Sequence, residues 1–470
     1  MGLRDSQTPA IGTEEEIERL LQEELRIRRH VDLRLCSIAG ILCSLDLLDS
    51  GVISSAATTS MLKDLDLTGD RYSVSIFIFT LSAIAFQLPS TVAVRFFGPR
   101  WWFASITFAF GVITLCTAFV KSWRQMIALR VLLGIAMSGV YPGLTYLIST
   151  WYKREEQQLR FAYMQSGEVI VLATGSIVNF GLNQLDGRGS LKGWQWMFLV
   201  QGLIACVMGI VTFWWMVDFP EHAHKSFRFL SEGEVKIATS RIQRDRGDVH
   251  VEPFSLTKLL VHAKDFKVYG FAVLYFLLNL VSTSLSYFLP IILQSGMGFS
   301  TNQAILLSAP PYYYAVVPAI LSSYFGDKLR MRGPIIIFNC LCLIVGFCML
   351  GFASQVTVRY IGTYLATGAY VANWAALNAY QANNIVGQWK RVFTAATVTI
   401  LNGAGGIAGS YIIRQNEAPR YMTAVWISIG SHILMIAFVG LFSLYFYFAN
   451  KSERKGKRTI EHTEGFEFTY

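Results

Sequence analysis

Twelve apolar stretches, each about 20 residues long, constrain the fold of this chain more than any other feature of its sequence. A helix of about 20 residues crosses the apolar core of a bilayer, where every backbone polar group must be paired within the segment. We therefore predict an all-α membrane protein whose twelve transmembrane helices lie near 35–57, 74–94, 101–120, 126–150, 159–182, 196–217, 269–293, 304–325, 335–353, 360–385, 392–413 and 422–448. The composition agrees, because 53% of the residues are hydrophobic and only 15% are charged.

Basic residues alternate strongly between the two sides of the predicted membrane. Of the 40 lysines and arginines, 30 lie in the terminal segments, the central loop and every second short connection, while 9 lie in the other connections. Cytoplasmic segments carry such an excess, so we predict that both termini and the central loop are cytoplasmic. Because these basic residues follow the predicted membrane sides, the net charge of +9 does not indicate a nucleic-acid partner.

A polar loop divides the spans into two groups of six. We predict a cytoplasmic N-terminal segment (1–34), a first six-helix bundle (35–217), a cytoplasmic central loop (218–268), a second six-helix bundle (269–448) and a basic cytoplasmic tail (449–470). Two such repeats place a substrate site near the midplane between them. No phosphate-binding glycine loop, nucleophile or metal cluster is visible in the sequence. We therefore predict a secondary transporter rather than an enzyme, with no cofactor and no metal.

Two aspartates interrupt the first apolar stretch. Asp46 and Asp49 are three residues apart, so a helix places both carboxyl groups on one face. A carboxylate at the bilayer centre costs about 2.5–3.5 kcal/mol on insertion scales, and such residues are usually functional. Neighbouring acids also disfavour joint ionisation, which makes proton uptake by one of them easier. We predict that both are proton-coupling residues; the alternative is that they only hydrogen-bond to neighbouring helices.

Two further charged residues lie inside apolar stretches of the first half. Arg130 lies in the outer part of the fourth stretch, where an arginine must pair or reach water, and we expect it to pair with an acid of the first span. Glu168 lies near the middle of the fifth stretch beside Gly167, which permits close helix approach. We assign both to the proton-coupling set. The alternatives are a structural salt bridge for Arg130 and an interhelical hydrogen bond for Glu168.

The second half carries almost no charge inside its apolar stretches but contains several amides and aromatic rings. A pocket of aromatic rings with a few amides suits a ring-bearing, moderately polar solute. The predicted substrate-binding residues are Asn279, Tyr287, Tyr313, Asn373, Trp374, Asn378 and Gln381. Each aromatic residue is equally consistent with ordinary helix packing.

Two short basic connections occupy equivalent places in the two halves, between the second and third spans of each. Tight basic turns on the cytoplasmic face can join helix ends and separate when the halves rock. The predicted gating residues are Arg95, Gly98, Arg100, Asp327, Lys328 and Arg330. The alternative is that these charges only set the orientation of the chain in the membrane.

Several short motifs recur in the order of a known family. They are Phe97-Gly98-Pro99-Arg100, Arg130 with Gly134, Gly193-Trp194-Gln195-Trp196, Tyr287-Phe288-Leu289-Pro290 and Ala418-Pro419-Arg420-Tyr421. Through them the chain resembles the major facilitator superfamily and, within it, the fungal anion:cation symporters typified by allantoate, nicotinate and pantothenate permeases. The resemblance implies the major facilitator fold of two six-helix bundles, and a role in proton coupling for Arg130.

One departure from this family concerns the substrate. Where the family usually has Asp-Arg or Asp-Lys in its first span, this chain has Asp49-Ser50. The missing cation is a plausible partner for an anionic solute in carboxylate-carrying relatives, so we expect neutral, zwitterionic or proton-neutralised solutes to be preferred.

We interpret the chain as a proton-coupled symporter of a small organic solute, of vitamin-like or organic-acid type, that uses the proton gradient as its energy source. Its predicted partners are that solute, protons and the lipid bilayer, and we expect it to function as a monomer in the plasma membrane. Two alternatives remain: an exporter of a small natural product by proton antiport, and a transport-inactive nutrient sensor.

Overall fold

All regular elements in the described part of the chain are helical. The structure is a computed structural model that describes residues 14–67, 69–152, 154–220, 223, 229–245, 261–329, 331–385, 388–455 and 467–470. The first half contains α1 (Glu14–Val31), α2 (Ser37–Ala57), α3 (Met61–Asp64), α4 (Arg71–Phe97), α5 (Pro99–Thr117), α6 (Trp123–Met137), α7 (Val140–Trp151), α8 (Arg154–Asn183) and α9 (Gly193–Trp215). A π-helical turn, Asp32–Cys36, joins α1 to α2.

The central loop and the second half follow the same plan. Helix α10 (Glu232–Asp245) lies in the loop and contacts α1. The second half contains α11 (Phe266–Ile291), α12 (Thr301–Leu307), α13 (Ala309–Leu329), α14 (Gly333–Phe352), α15 (Val356–Asn384), α16 (Gln388–Gly409) and α17 (Met422–Arg454). A second π-helical turn, Ile292–Gly296, extends α11.

Two of the twelve predicted spans are broken, which corrects the expectation of continuous helices. The fourth span divides into α6 and α7 at Gly139, where an added Cβ would lie only 1.8 Å from Ser90 Oγ. The eighth divides into α12 and α13 just before Pro310 and Pro311. Proline lacks an N–H and is tolerated only in the first turn of a helix, so a new helix begins there. The last helix also runs on to Arg454, into the segment predicted as tail.

Eight helical stretches among the described residues are long and apolar enough to cross a membrane by length and composition alone, when α6 with α7 and α12 with α13 are each counted as one stretch. Four other helices, α4, α8, α15 and α16, fill the remaining predicted spans. Helix α4 packs on α16, and α8 packs on α12, α13 and α15, so these four lie at the seam between the halves.

Hydrogen bonds join the two halves at one end of the bundle, which we call the opposite face because it lies away from the start of α2 and the end of α17. The other end is the termini face. At the opposite face, Gln294 Nε2 and Thr301 Oγ1 donate to Thr58 O at 2.9 and 3.2 Å. Asn183 Nδ2 donates to Asn302 Oδ1 at 2.7 Å. The structure is therefore closed at this face by contacts between uncharged groups.

At the termini face, Asp265 connects the start of α11 to the start of α16. Its carboxylate caps α11 by accepting from Lys267 N at 3.0 Å, and it forms an ion pair with Lys390. Burial alone raises the pKa of the Asp265 carboxyl, but the hydrogen bond from Lys390 and the charge of Lys267 outweigh it and hold the pKa below its usual value. Asp265 therefore stays ionised at neutral pH and acts as a permanent structural contact.

The last four residues, Glu467–Tyr470, dock on the termini face of the second half. Phe468 is 4% exposed and stacks on Phe446 with ring centroids 4.5 Å apart. The Asn450 amide exchanges two hydrogen bonds with the backbone of Phe468, at 2.8 and 2.9 Å. The Asn384 amide does the same with Thr469, with both bonds at 2.9 Å. These contacts hold the ends of α15 and α17 together.

We expect this docked segment to stabilise the second half through its apolar contact. Phe468→Ala leaves a cavity beside Phe446, and replacing a buried phenylalanine by alanine typically costs about 3–5 kcal/mol. Thermal unfolding of the detergent-solubilised protein should show a clear fall in Tm. The matched control is Glu467→Ala, which removes only a solvent-exposed ion pair with Arg454 and should shift the Tm little. Equal shifts for the two variants would contradict the docking argument.

Candidate functional site

A buried ion pair joins the first and fourth spans. Arg130 Nη1 on α6 donates to Asp49 Oδ2 on α2 at 2.5 Å, and the two side chains are 3% and 1% exposed. Either charge alone would be costly at this depth, and each is stabilised by the opposite charge of its partner. The pairing expected from the sequence is present, and its role in proton coupling stays a prediction.

The two oxygens of the Asp49 carboxylate differ in their hydrogen bonding, since only Oδ2 accepts from Arg130. Asp49 Oδ1 is buried and accepts no hydrogen bond from the described residues. A buried carboxylate oxygen without a donor is costly, and a proton on that oxygen would remove the negative charge of Asp49 while leaving the positive charge of Arg130 unbalanced. Oδ1 is therefore the atom of Asp49 at which a proton could bind without displacing an existing hydrogen bond.

Helix α4 brings a tyrosine to this ion pair. An added Cβ at Gly134, one turn after Arg130, would lie 2.1 Å from Ser82 Oγ and 2.4 Å from Phe79 O, so only glycine permits this approach of α4 to α6. At the outer end of α4, the buried Tyr72 lies within electrostatic range of both Asp49 and Arg130. The sequence analysis missed Tyr72, because nothing in its local pattern distinguishes it from other aromatic residues near a helix end.

Of the other two predicted proton-coupling residues, Glu168 lies apart from the ion pair. The side chain of Asp46 lies outside the described part of the structure. Glu168 on α8 is half-buried and interacts electrostatically with Tyr141 of α7. Gly175 of α8 packs against Leu48, so Glu168 lies about two helical turns nearer the termini face than Asp49. Glu168 therefore belongs to the middle of the bundle.

Aromatic and amide groups meet between the halves near Glu168. The Tyr275 hydroxyl on α11 donates to Asn378 Oδ1 on α15, and its ring lies 5.8 Å from that of Trp374. Trp374 Nε1 donates to Ser282 Oγ at 3.3 Å. Tyr141, which is 51% exposed, extends from the first half to within electrostatic range of Tyr275. We call these residues, Tyr141, Tyr275, Trp374 and Asn378, the central cluster.

Among the predicted substrate-binding residues, Trp374, Asn378 and Gln381 share one face of α15. Asn373, which we also predicted as a binding residue, does not lie on this face. Its Nδ2 donates to Cys340 Sγ on α14 at 3.4 Å, and the residue is fully buried. Successive residues of a helix are rotated by about 100°, so Asn373 is directed into the second bundle while Trp374 faces α11.

Three other predicted binding residues make contacts that hold helices together. Asn279 Nδ2 donates to Asn402 O of α16 at 2.8 Å. The Tyr287 backbone oxygen accepts from the Tyr72 hydroxyl at 3.0 Å. The Tyr313 hydroxyl lies 2.9 Å from Thr174 Oγ1 of α8, at the seam between the halves. Asn279 follows Tyr275 by one turn of α11 and therefore borders the central cluster. The cluster also contains Tyr141 and Tyr275, which the sequence analysis did not select.

The predicted gating loop of the first half contacts helices of its own half. Arg100 Nε donates to Phe213 O at 2.6 Å, and its backbone N–H donates to Asp218 Oδ1 at 3.4 Å. The Arg95 guanidinium lies 4.4 Å from the Tyr146 ring centroid. Gly98 has a φ of +84°, which glycine adopts without strain. These contacts support α4, α5 and α9 at the termini face.

The equivalent loop of the second half is only partly described. Lys328 Nζ lies 5.7 Å from the Tyr324 ring centroid on the same helix. The side chain of Asp327 and all of Arg330 lie outside the described residues. The gating role of both loops stays a prediction.

Comparison with known proteins shows a family that covers most of the chain. Residues 39–410 match the model of the Major Facilitator Superfamily. The High-affinity nicotinic acid transporter of Saccharomyces cerevisiae is 29% identical over 440 residues, which cover 93% of this chain and 80% of the relative. The MFS-type transporter cnsO of Penicillium expansum is 28% identical over 451 residues, which cover 93% of this chain and 86% of that protein.

Solved structures share the fold at low sequence identity. The proton:xylose symporter XylE bound to 6-bromo-6-deoxy-D-glucose has a TM-score of 0.70 at 14% identity, covering 87% of this chain and 95% of that one. A partially occluded inward open form of XylE from E. coli has a TM-score of 0.67 at 14% identity, covering 88% of this chain and 98% of that one. This chain is a multi-pass membrane transporter with the twelve-helix fold, and it belongs to the Major Facilitator Superfamily.

Proposed function

We propose that this chain is a proton-coupled symporter that carries a small organic solute into the cell. It acts as a monomer in the plasma membrane with its termini face in the cytoplasm. The buried Asp49–Arg130 pair is the observation that carries the proposal. A membrane-embedded acid with an orphaned carboxylate oxygen provides a proton site that a solute-only carrier would not require.

The proposed proton cycle uses the ion pair in two forms. With Asp49 ionised, its charge balances that of Arg130 and the pair is neutral. A proton on Asp49 leaves Arg130 as an unbalanced charge, so protonation changes which arrangement of the surrounding helices is favourable. Asp46 and Glu168 are proposed as additional proton carriers on the path towards the termini face. We propose that protons and solute cross in the same direction, because one rocking motion of the two halves would expose the ion pair inside the first bundle and the central cluster to the same side of the membrane.

The central cluster is the proposed solute site. Trp374 and Tyr275 supply ring surface, Asn378 supplies an amide, and Tyr141 reaches the cluster from the other bundle. A solute bound between the halves contacts both of them, so it can stabilise a closed arrangement that the empty carrier lacks. Gln381 extends the same face of α15 by about one turn beyond Asn378 and is included in the site.

The charge of the site bears on the class of solute. Arg130 is engaged by Asp49, and Ser50 is 2% exposed and donates to Leu47 O of its own helix. The position that carries a cation in family members therefore holds a small, internally bonded hydroxyl. We propose that the solute is neutral, zwitterionic or neutralised by the coupled proton, and that it carries an aromatic or similarly flat ring.

Asp49→Asn should abolish accumulation without abolishing transport. The amide cannot cycle a proton, so solute should still equilibrate by exchange but should not be concentrated by a pH gradient. The measurement is radiolabelled uptake and counterflow in proteoliposomes, with and without a proton ionophore. A variant that still concentrates solute against its gradient would contradict the assignment of Asp49. Efflux driven by an inward proton gradient would favour antiport instead.

Two asparagines of α15 provide a matched test of the solute site. Asn378→Ala removes an amide from the central cluster and should raise the KM about tenfold or more, as expected when one polar contact with a bound solute is lost. Asn373→Ala changes a residue of the same helix, α15, but removes a buried contact with Cys340 of α14. It should lower the Tm with little change in KM. If both variants changed the KM equally, the face assignment of α15 would fail.

Competition between nicotinate and nicotinamide tests the proposed solute charge. Both carry the same ring, but nicotinate is an anion at neutral pH and nicotinamide is not. We expect nicotinamide to inhibit uptake at least as strongly as nicotinate at pH 7.5, with nicotinate gaining at lower pH as proton occupancy rises. Strong nicotinate uptake at pH 7.5 with no inhibition by the amide would overturn the proposal for neutral solutes while leaving proton coupling intact.

A further inference from the structure

One contact that closes the opposite face begins beside the buried ion pair. The Tyr72 hydroxyl on α4 donates to the Tyr287 backbone oxygen on α11 at 3.0 Å. The Tyr72 ring meets Phe288 edge-on, with centroids 5.3 Å apart and planes at 88°. Tyr72 and Phe288 are both 1% exposed. A single side chain of the first half is therefore fastened to the second half by a hydrogen bond and by ring packing.

The surroundings of Tyr72 distinguish its hydrogen bond from the other contacts at the opposite face. Tyr72 lies within electrostatic range of both Asp49 and Arg130. Its helix, α4, packs along α6, which carries Arg130. The contacts of Thr58 with α11 and α12, and that of Asn183 with α12, involve amides, hydroxyls and a carbonyl only. Of these contacts between the halves, the Tyr72 bond is the one placed to respond to the charge of the ion pair.

The titratable and charged groups around Asp49 come from several helices. Arg130 faces it from α6, and Tyr72 lies near it on α4. Glu168 on α8 lies about two helical turns nearer the termini face. Asp46 precedes Asp49 by one turn of the same helix. Helix α9 carries no acidic or basic residue, and α11 carries its single lysine at the termini face.

We propose that Tyr72 is a positioning residue that couples the proton occupancy of Asp49 to closure of the opposite face, an inference that rests on the proposed proton coupling. While Asp49 is ionised, it holds Arg130 and leaves the Tyr72 hydroxyl to the Tyr287 oxygen. A proton on Asp49 removes the charge that holds Arg130. The guanidinium then donates to the Tyr72 hydroxyl oxygen, and the hydroxyl turns from the Tyr287 oxygen towards α6 to accept this bond. A bond between the halves is thereby exchanged for one within the first half, which favours opening of the opposite face.

A double-mutant cycle tests this coupling. Asp49→Asn imitates the protonated acid, and Tyr72→Phe keeps the ring against Phe288 but removes the hydroxyl. Spin labels at the exposed Lys121 and Gln355, one on each half at the opposite face, report its opening by pulsed distance measurement in nanodiscs. The labels are introduced as genetically encoded amino acids, so the seven native cysteines stay in place.

Each single change should raise the ratio of open to closed populations about two- to thirteenfold, the effect of losing one uncharged hydrogen bond. The combined variant should show no further increase, because both changes remove the same contact. The open fraction of the parent should also rise between pH 8 and pH 5, and this pH response should be lost in Tyr72→Phe. Effects of the two changes that simply multiply, or a pH response retained by Tyr72→Phe, would overturn the role of Tyr72.

Tyr360→Phe is the matched control. The Tyr360 hydroxyl donates to Leu307 O at 2.9 Å, so this change removes a tyrosine-to-carbonyl bond that lies within one half. It should leave both the populations and their pH response as in the parent. If Asp49→Asn leaves the label distances unchanged but abolishes accumulation in the uptake assay, the inference fails while the proposed symport stands. If it changes neither, both fail.

Discussion

The burial of one positive and one negative charge inside the first bundle is the constraint on which the arrangement of that bundle depends. Arg130 and Asp49 are separated by 81 positions in the chain, yet their side chains meet at 2.5 Å with almost no exposure to solvent. In a low-dielectric interior neither charge is tolerable without the other, so α2 and α6 must keep this separation. Any movement of these helices must either preserve the pair or neutralise one partner by a proton.

Small residues make this geometry possible. Gly134 allows α4 to approach α6 to within backbone contact, and Gly51 of α2 faces Leu172 of α8, where an added Cβ would lie 2.9 Å away. Without a hydrophobic driving force between helices in lipid, close packing of this kind holds a bundle together. It also determines which polar groups meet, since Asn179 of α8 can donate to the Gly51 oxygen of α2 only where these two helices pack closely.

The two ends of the structure are held by interactions of different strength. At the opposite face, the halves meet through uncharged groups such as Gln294 and Thr58, and each such bond contributes modestly. At the termini face, charged and stacked contacts, including Asp265 with Lys390 and Phe468 with Phe446, lie within the second half itself. This distribution suits a carrier whose halves move as rigid bodies, because strong contacts lie within a half and weaker ones lie between the halves.

The sequence by itself determined the fold class, the approximate spans and the positions of the buried charges, because helix length and the cost of burying a charge are local properties. The sequence shows Gly139 and Pro310, the residues at which two spans are interrupted. The break at Gly139 depends on the close approach of a neighbouring helix, whereas the break before Pro310 follows from proline geometry. Only the tertiary structure decided which face of α15 looks into the centre, so that Asn378 meets Tyr275 while Asn373 is directed to Cys340. It alone also brought Tyr72 of α4 to the Tyr287 oxygen of α11, because contacts between residues far apart in the chain follow from helix packing, which no local pattern encodes.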